Sequence, residues 1–285
     1  MVAFKAPAKE ILATAPTLPY KQFLLFGDSI TQGAFDQDKG FALGAQLAHD
    51  YMRRLDVVDR GLRYVSQSPA SASVANTSSG YNTDQALAII EYIFPPPTTA
   101  KIDYMTLFFG ANDSCHLGGV SHQHVPLQTY RENLLAILSH PLLLAHNPRI
   151  VIITTPPVDE YQLAEETRSD GRVDRGRSAE NARAYAEAGK AVGEALRAEG
   201  REVVVCDLWS ALMARTGWSG EGVLPGSLKT DKNPAFTELL SDGLHFNPPA
   251  YRVLYDELRQ TLEQTWPDSH PERLEKHFPD WNSWF

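Results

Sequence analysis

Residues 22–33 read QFLLFGDSITQG: four apolar residues run unbroken between Gln22 and Gly27, and an acid and a hydroxyl follow at once. A run that is apolar on both sides of the pleat suits a parallel strand covered on both faces. Asp28 and Ser29 are both favoured helix N-caps, so the strand is expected to pass directly into a helix. Four further runs share this character: LDVVD at 55–59, DYMTLFFG at 103–110, RIVIITT at 149–155 and REVVVCDL at 201–208. Helical patterns separate them. Tyr130, Leu134, Ile137 and Leu138 share one helical face, and Tyr185, Ala188, Val192 and Leu196 share another. A last helix is expected to start at Asn247-Pro248, an N-cap followed by the residue best tolerated at the first helical position. Strands alternating with helices imply right-handed crossovers and a doubly wound sheet, hence one α/β domain.

The composition narrows the function classes. The chain has 285 residues, enough for one large core. The net charge is −9 and Lys/Arg form no stripe, which argues against nucleic acid and against anionic membrane surfaces as partners. Two cysteines, Cys115 and Cys206, cannot build a disulfide scaffold. No run is long and apolar enough to span a bilayer, and the first residues carry no secretory h-region, so stable membrane insertion is not expected and a cytoplasmic location is. Nothing in the sequence supports a particular oligomer.

Four stretches fall outside the strand–helix rhythm. Residues 1–21 read as an N-terminal extension and 268–285 as a C-terminal tail, leaving 22–267 as the domain. The polar, Gly-rich GRVDRGR at 171–177 reads as a loop. Within the domain, RYVSQSPASASVANTSS at 63–79 is small, polar and without a helical face, an atypical insertion.

Ligands of doubly wound sheets gather at the carboxyl ends of the strands. Gly27-Asp28-Ser29 and Gly110-Ala111-Asn112-Asp113 lie at such ends; Ser79-Gly80-Tyr81-Asn82 and Asp242-Gly243-Leu244-His245 are two further polar clusters, the last just before the final helix. A serine at a helix mouth is placed where backbone N–H groups favour negative charge, although Asp28 and Ser29 also serve as ordinary caps. A serine nucleophile needs an imidazole base, and the imidazole needs a carboxylate; Asp242 and His245, three apart, can supply both from one loop, or can be a surface acid and a capping His. The Asn112 carboxamide and the backbone N–H groups of Ser29 and Gly80 are candidate oxyanion donors, while Asn and Gly equally suit turns. No G-x-S-x-G elbow occurs.

Taken in order, FGDSITQG, SGYNT, FFGANDS and SDGLHF resemble the four blocks of the SGNH/GDSL hydrolases. Within that family the chain looks like the isoamyl acetate-hydrolysing esterase group, a similarity running through RRLDVVDRG, QHVPLQTYRENL, TTPPVDEY, CDLWSALM and SDGLHFNPPAYRVLYDEL. The resemblance implies a flavodoxin-like three-layer α/β/α sandwich and hydrolysis of small esters, with neither metal nor organic cofactor. It implies Ser29 as nucleophile, His245 as general base and then acid, and Asp242 as its orienting partner. Ser29, Gly80 and Asn112 would form the oxyanion hole. Asp28 and Asp113 would be structural, bracing their turns.

Two departures stand out. Related sequences pass from the strand and its Arg-Gly almost directly to the Gly-Tyr-Asn-Thr block, whereas here residues 63–79 intervene between Arg60-Gly61 and Gly80. The block also continues Asp84-Gln85 where relatives carry an Arg-Trp pair. A surface loop grows at little entropic cost, so the fold is expected to survive, but displacement of Gly80 would cost about 3–4 kcal/mol of barrier. The ends of the segment are compatible with splice-donor-like and acceptor-like codons, so translation of an unspliced intron is one origin; a transcript running from Gly61 or Leu62 to Gly80 would support it. The leading expectation is a short-chain carboxylester hydrolase. A thioesterase or lysophospholipase using the same three residues is the enzymatic alternative, and a non-catalytic protein retaining the fold is the alternative of another class.

Overall fold

The computed structural model describes residues 20–62, 80–117, 123–165, 176–278 and 280. The expected N-terminal extension up to residue 19, the insertion at 63–79 and most of the 171–177 loop lie outside them.

Five strands form one parallel sheet: β1 (Lys21–Gly27), β2 (Leu55–Gly61), β3 (Ile102–Phe108), β4 (Arg149–Ile153) and β5 (Val203–Cys206). Their order is β2-β1-β3-β4-β5, the flavodoxin-like arrangement. The side-chain period of two sorts each strand onto two faces. Phe23 and Leu25 of β1 enter one apolar core, and Leu24 and Phe26 enter the other. Helices cover both. On the Phe23 side pack α1 (Ser29–Gly33), α2 (Leu43–Asp50), α6 (Leu208–Arg215) and α7 (Pro248–Thr265). On the other side lie α3 (Thr83–Ala88) and α4 (Leu127–Leu138), with the long α5 (Ala179–Ala198) toward β4 and β5. The faces expected of α4 and α5 are the buried ones: Tyr130, Leu134, Ile137 and Leu138, and Tyr185, Ala188, Val192 and Leu196.

Strand ends differ from the sequence expectation for local reasons. β3 stops at Phe108, because Gly110 turns the chain with φ +119°, a backbone region that favours glycine. β5 stops at Cys206, because the Asp207 side chain accepts from Ser210 N–H and caps α6. Asn247 does precede α7 and Pro248 does open it, but the Asn247 side chain makes no capping bond. It donates instead to the carbonyls of Glu238 and Thr237, at 3.2 and 3.4 Å.

β1 sits between β2 and β3, so the chain reverses its direction of winding there. The resulting crevice lies at the carboxyl ends of β1 and β3. The described part of the tail lies at the opposite end of the sheet. Ser269 C=O accepts from Tyr51 OH at 3.2 Å, Arg149 at the start of β4 pairs with Asp268 at 2.8 Å, and Tyr20 stacks on His277.

Candidate active site

Asp28 ends the β1 connection and caps α1, its Oδ1 accepting from Ile30 N–H at 2.9 Å. That cap fixes Ser29 as the first residue of α1, 6% exposed, with its Oγ 3.0 Å from His245 Nε2. Burial pushes the Asp28 carboxyl up to about 7, against the pull of the Ile30 N–H.

His245 comes from a tight loop before α7. Leu240 and Phe246 form an antiparallel bridge, and Ser241 N–H donates to His245 C=O at 2.8 Å. Asp242 Oδ1 accepts from the backbone N–H of Leu244 at 2.9 Å and of His245 at 2.7 Å. Its Oδ2 lies 2.6 Å from His245 Nδ1. From a neighbouring connection, Asp159 N–H donates to Gly243 C=O at 2.9 Å and holds the loop against the body. Burial alone would raise the Asp242 carboxyl, yet the His245 ring and the two backbone N–H groups hold it at about 2. An ionised carboxylate accepts only, so Nδ1 carries the proton and Nε2 is left to accept from the Ser29 hydroxyl.

The other two clusters close the site. Gly80 faces Ser29 so tightly that a Cβ on it would sit 3.2 Å from Ser29 Oγ and 2.6 Å from Asn112 Nδ2. The need for glycine here is one of close approach. Asn112, 1% exposed, follows the Gly110 turn and donates from Nδ2 to Tyr81 C=O at 3.0 Å. Asp113 binds the two clusters together, Oδ1 accepting from Thr83 N–H at 3.0 Å and Thr83 OH at 2.5 Å. Burial raises the Asp113 carboxyl to about 6 despite those bonds. Asn82 and Gln85 form a reciprocal capping box at the start of α3. The departure at 84–85 thus supplies a cap.

The structure therefore brings Ser29, Asp242, His245, Gly80 and Asn112 to one place, although residues 63–79 precede Gly80. The residues on either side of that segment meet: Tyr81 N–H donates to Leu62 C=O at 3.3 Å, and Leu62 N–H to Gly27 C=O at 3.0 Å. A cleft of about 150 Å³ opens beside His245, lined by Gly33, Asp36, Lys39, Phe41, Phe246 and Tyr251 among others. Phe246 lines it while packing on Tyr251, whereas Tyr161 is bonded to Thr230 C=O and takes no part. Sequence reading did not single out Asp36, Lys39 or Phe41, which lie in a connection without periodicity. Nor did it single out Arg177, whose Nη2 donates to Asn112 Oδ1 at 3.0 Å. No spacing rule links residues 65 apart.

With this geometry in hand, the comparisons carry weight. The family model for GDSL-like lipases/acylhydrolases matches residues 23–258. The isoamyl acetate-hydrolyzing esterase of Saccharomyces cerevisiae is 30% identical over 270 residues, 93% of this chain and 95% of that protein. A GDSL esterase/lipase of Arabidopsis thaliana is 34% identical over 86% of each chain. Among solved structures, a lipase/acylhydrolase from Enterococcus faecalis superposes with TM-score 0.53 at 18% identity, covering 90% of this chain and 98% of that one. An acetylxylan esterase from Geobacillus stearothermophilus, in a catalytic mutant form, gives 0.53 at 16%, covering 86% and 94%. At these identities the structures speak for the fold, a three-layer α/β/α sandwich.

Proposed function

Since the chain belongs to the family of GDSL-like lipases and acylhydrolases and is a carboxylic ester hydrolase, we propose that it cleaves small esters of short acyl chains through an acyl–Ser29 intermediate. One observation carries the reading: an unbroken relay runs from Ser29 Oγ through the His245 ring to Asp242, at 3.0 and 2.6 Å, facing Gly80 and Asn112.

In this reading His245 Nε2 takes the Ser29 proton as Oγ attacks the acyl carbon. The oxyanion is received by the N–H groups of Ser29 and Gly80 and by the Asn112 Nδ2–H that does not face Tyr81. The C–O bond to the alcohol breaks, and the alkoxide leaves with the proton from His245. Water, deprotonated by the same ring, then attacks the acyl–Ser29 ester; the acid departs and Oγ recovers its proton. Asp242, held at about 2, stays ionised throughout and stabilises the imidazolium.

The cleft beside Ser29 and His245 has room for a small ester. Its roughly 150 Å³ falls well under the roughly 300–1,000 Å³ of pockets for drug-sized ligands. The yeast relative is named for hydrolysis of isoamyl acetate, which makes acetates of small alcohols the first substrates to test. Rates on p-nitrophenyl acetate, hexanoate and decanoate, with isoamyl acetate and an acyl-CoA alongside, are expected to be highest on the acetates. A decanoate or acyl-CoA optimum overturns the short-chain reading. A pH–rate profile of wild type against His245→Ala tests the base. The variant is expected to lose about 10⁴-fold or more at every pH, and a variant as active as wild type overturns the assignment of the base.

A cytoplasmic site of action is part of the proposal. It is supported by two buried cysteines that form no disulfide. Cell fractionation tests it, recovery with membranes or in the medium being the contrary result.

A further inference from the structure

We propose that Arg177, acting with Gln123, is a positioning residue that sets the oxyanion donors Asn112 and Gly80 in their working orientation; the inference rests on the reading of Ser29 as nucleophile. Arg177 stands at the start of α5, far in sequence from both. Its Nη1 donates to Ala111 C=O, and its Nη2 to Asn112 Oδ1 at 3.0 Å and to Gln123 Oε1 at 3.4 Å. Gln123 passes the connection on. Its Nε2 donates to Gly80 C=O at 2.5 Å, and its own carbonyl accepts from Asn82 Nδ2 at 3.0 Å. Both carboxamides are buried, Asn112 at 1% and Gln123 at 3% exposure.

The chemistry of the guanidinium makes this more than a contact. A carboxamide can be turned end for end with little change of shape, and the wrong orientation of Asn112 would aim an oxygen at the developing oxyanion. Arginine only donates. Both amides must therefore turn their oxygens to Arg177 and their NH₂ groups away from it. For Asn112 that direction is toward Tyr81 C=O and Gly80; for Gln123 it is the Gly80 carbonyl. One cation thus fixes the orientation of two amides. A positive charge on Oδ1 also polarises the Asn112 amide, strengthening its N–H as a donor when negative charge develops opposite. Anchoring of the chain does not by itself explain the guanidinium, because Gly176 C=O is already held by His116 N–H at 2.7 Å.

The test is a mutant cycle on p-nitrophenyl acetate, with near-UV circular dichroism and Tm recorded for every variant. Arg177→Met is expected to lower kcat about 10- to 100-fold, with KM within about threefold. Arg177→Lys, which keeps the charge and loses the fork, is expected to recover about a tenth of wild-type kcat at most. Asn112→Ala is expected to cost about 10²- to 10³-fold, and adding Arg177→Met to it clearly less than Arg177→Met costs alone, the remaining loss being the share carried to Gly80 through Gln123. Full kcat in folded Arg177→Met overturns the proposal, as do additive losses in the double variant or a loss confined to KM. If Arg177→Met does not fold, Arg177→Lys enters the same cycle under the same criteria. Ser29→Ala separates this question from the reading beneath it. Turnover that survives Ser29→Ala sinks the nucleophile assignment, whereas a dead Ser29→Ala beside a fully active Arg177→Met sinks only the role of Arg177.

Discussion

Asp28 is buried and Asp242 half-buried, both in the field of the His245 imidazole, and their surroundings drive them in opposite directions. Asp242 accepts from the His245 ring and two backbone N–H groups and is held at about 2; Asp28 has one backbone N–H and burial pushes it to about 7. Asp242→Asn removes the charge that selects the His245 tautomer while keeping the shape of the loop. It is expected to lower kcat by about 10⁴-fold, measured on the same acetate ester, and to lower Tm at neutral pH, where the ionised carboxylate contributes to stability. Asp28→Asn keeps an oxygen for the Ile30 cap and removes a titration. Because the folded carboxyl binds its proton more tightly than the unfolded one, its contribution to stability is full below about pH 4 and is lost as pH rises through about 7. Denaturant unfolding of wild type should therefore show stability falling across that window. Asp28→Asn should flatten the slope, by an amount on the order of a few kcal/mol at most, and be the more stable protein above pH 7. Asp242 works the other way: its contribution is present above about pH 4 and disappears as pH falls toward 2. The meeting of Ser29, Asp242 and His245 was legible through the family resemblance of the four blocks taken in order, since each short motif alone equally suited a cap or a turn. Arg177 was not. An arginine in a polar, Gly-rich run looks like a solvated loop residue until the fold brings Asn112 to it.

The elements were legible to the degree that they obey a period. Most of the strands carry a nearly continuous apolar run, β2 with Asp56 and Asp59 being the exception, and the buried faces of α4 and α5 follow from residues three and four apart. Their ends were less legible, since Gly110 and Asp207 stop β3 and β5 through a backbone angle and a side-chain cap that apolar patterning does not register. The segment 63–79 poses the opposite problem: it has no period, yet its flanks are firmly tied. Leu62 C=O already accepts from Tyr81 N–H at 3.3 Å. With 63–79 removed and Leu62 joined to Gly80, that bond would span one residue, a three-residue turn with glycine at its centre. The deletion variant is expected to fold, with Tm unchanged or raised and kcat/KM on acetate esters within about threefold of wild type. Loss of activity in a folded deletion variant would show that the segment takes part in holding Gly80.

At the scale of the whole molecule, chemistry and anchoring occupy opposite ends of the sheet. The crevice at the carboxyl ends of β1 and β3 gathers Ser29 and Asn112, and the described part of the tail packs near the amino ends around Tyr51 and Arg149. Alternating strands and helices implied a doubly wound sheet; the flavodoxin-like order β2-β1-β3-β4-β5 came with the family resemblance, since alternation alone does not decide which edge each crossover chooses. Separation of the two ends has a consequence for substitutions. Tyr51→Phe loses the hydrogen bond to Ser269 and is expected to lower stability by about 1 kcal/mol with kcat unchanged, read by denaturant unfolding and ester turnover together. The claim on which everything else depends is that the Ser29 hydroxyl, poised against His245, is the attacking group. It is tested most directly by treating the folded protein with a fluorophosphonate at neutral pH and mapping the adduct by mass spectrometry. The account predicts a single phosphonyl group on the peptide containing Ser29, absent in Ser29→Ala and strongly slowed in His245→Ala. Ester hydrolysis that continues with Ser29 unmodified, or a stoichiometric adduct on another residue, would contradict it.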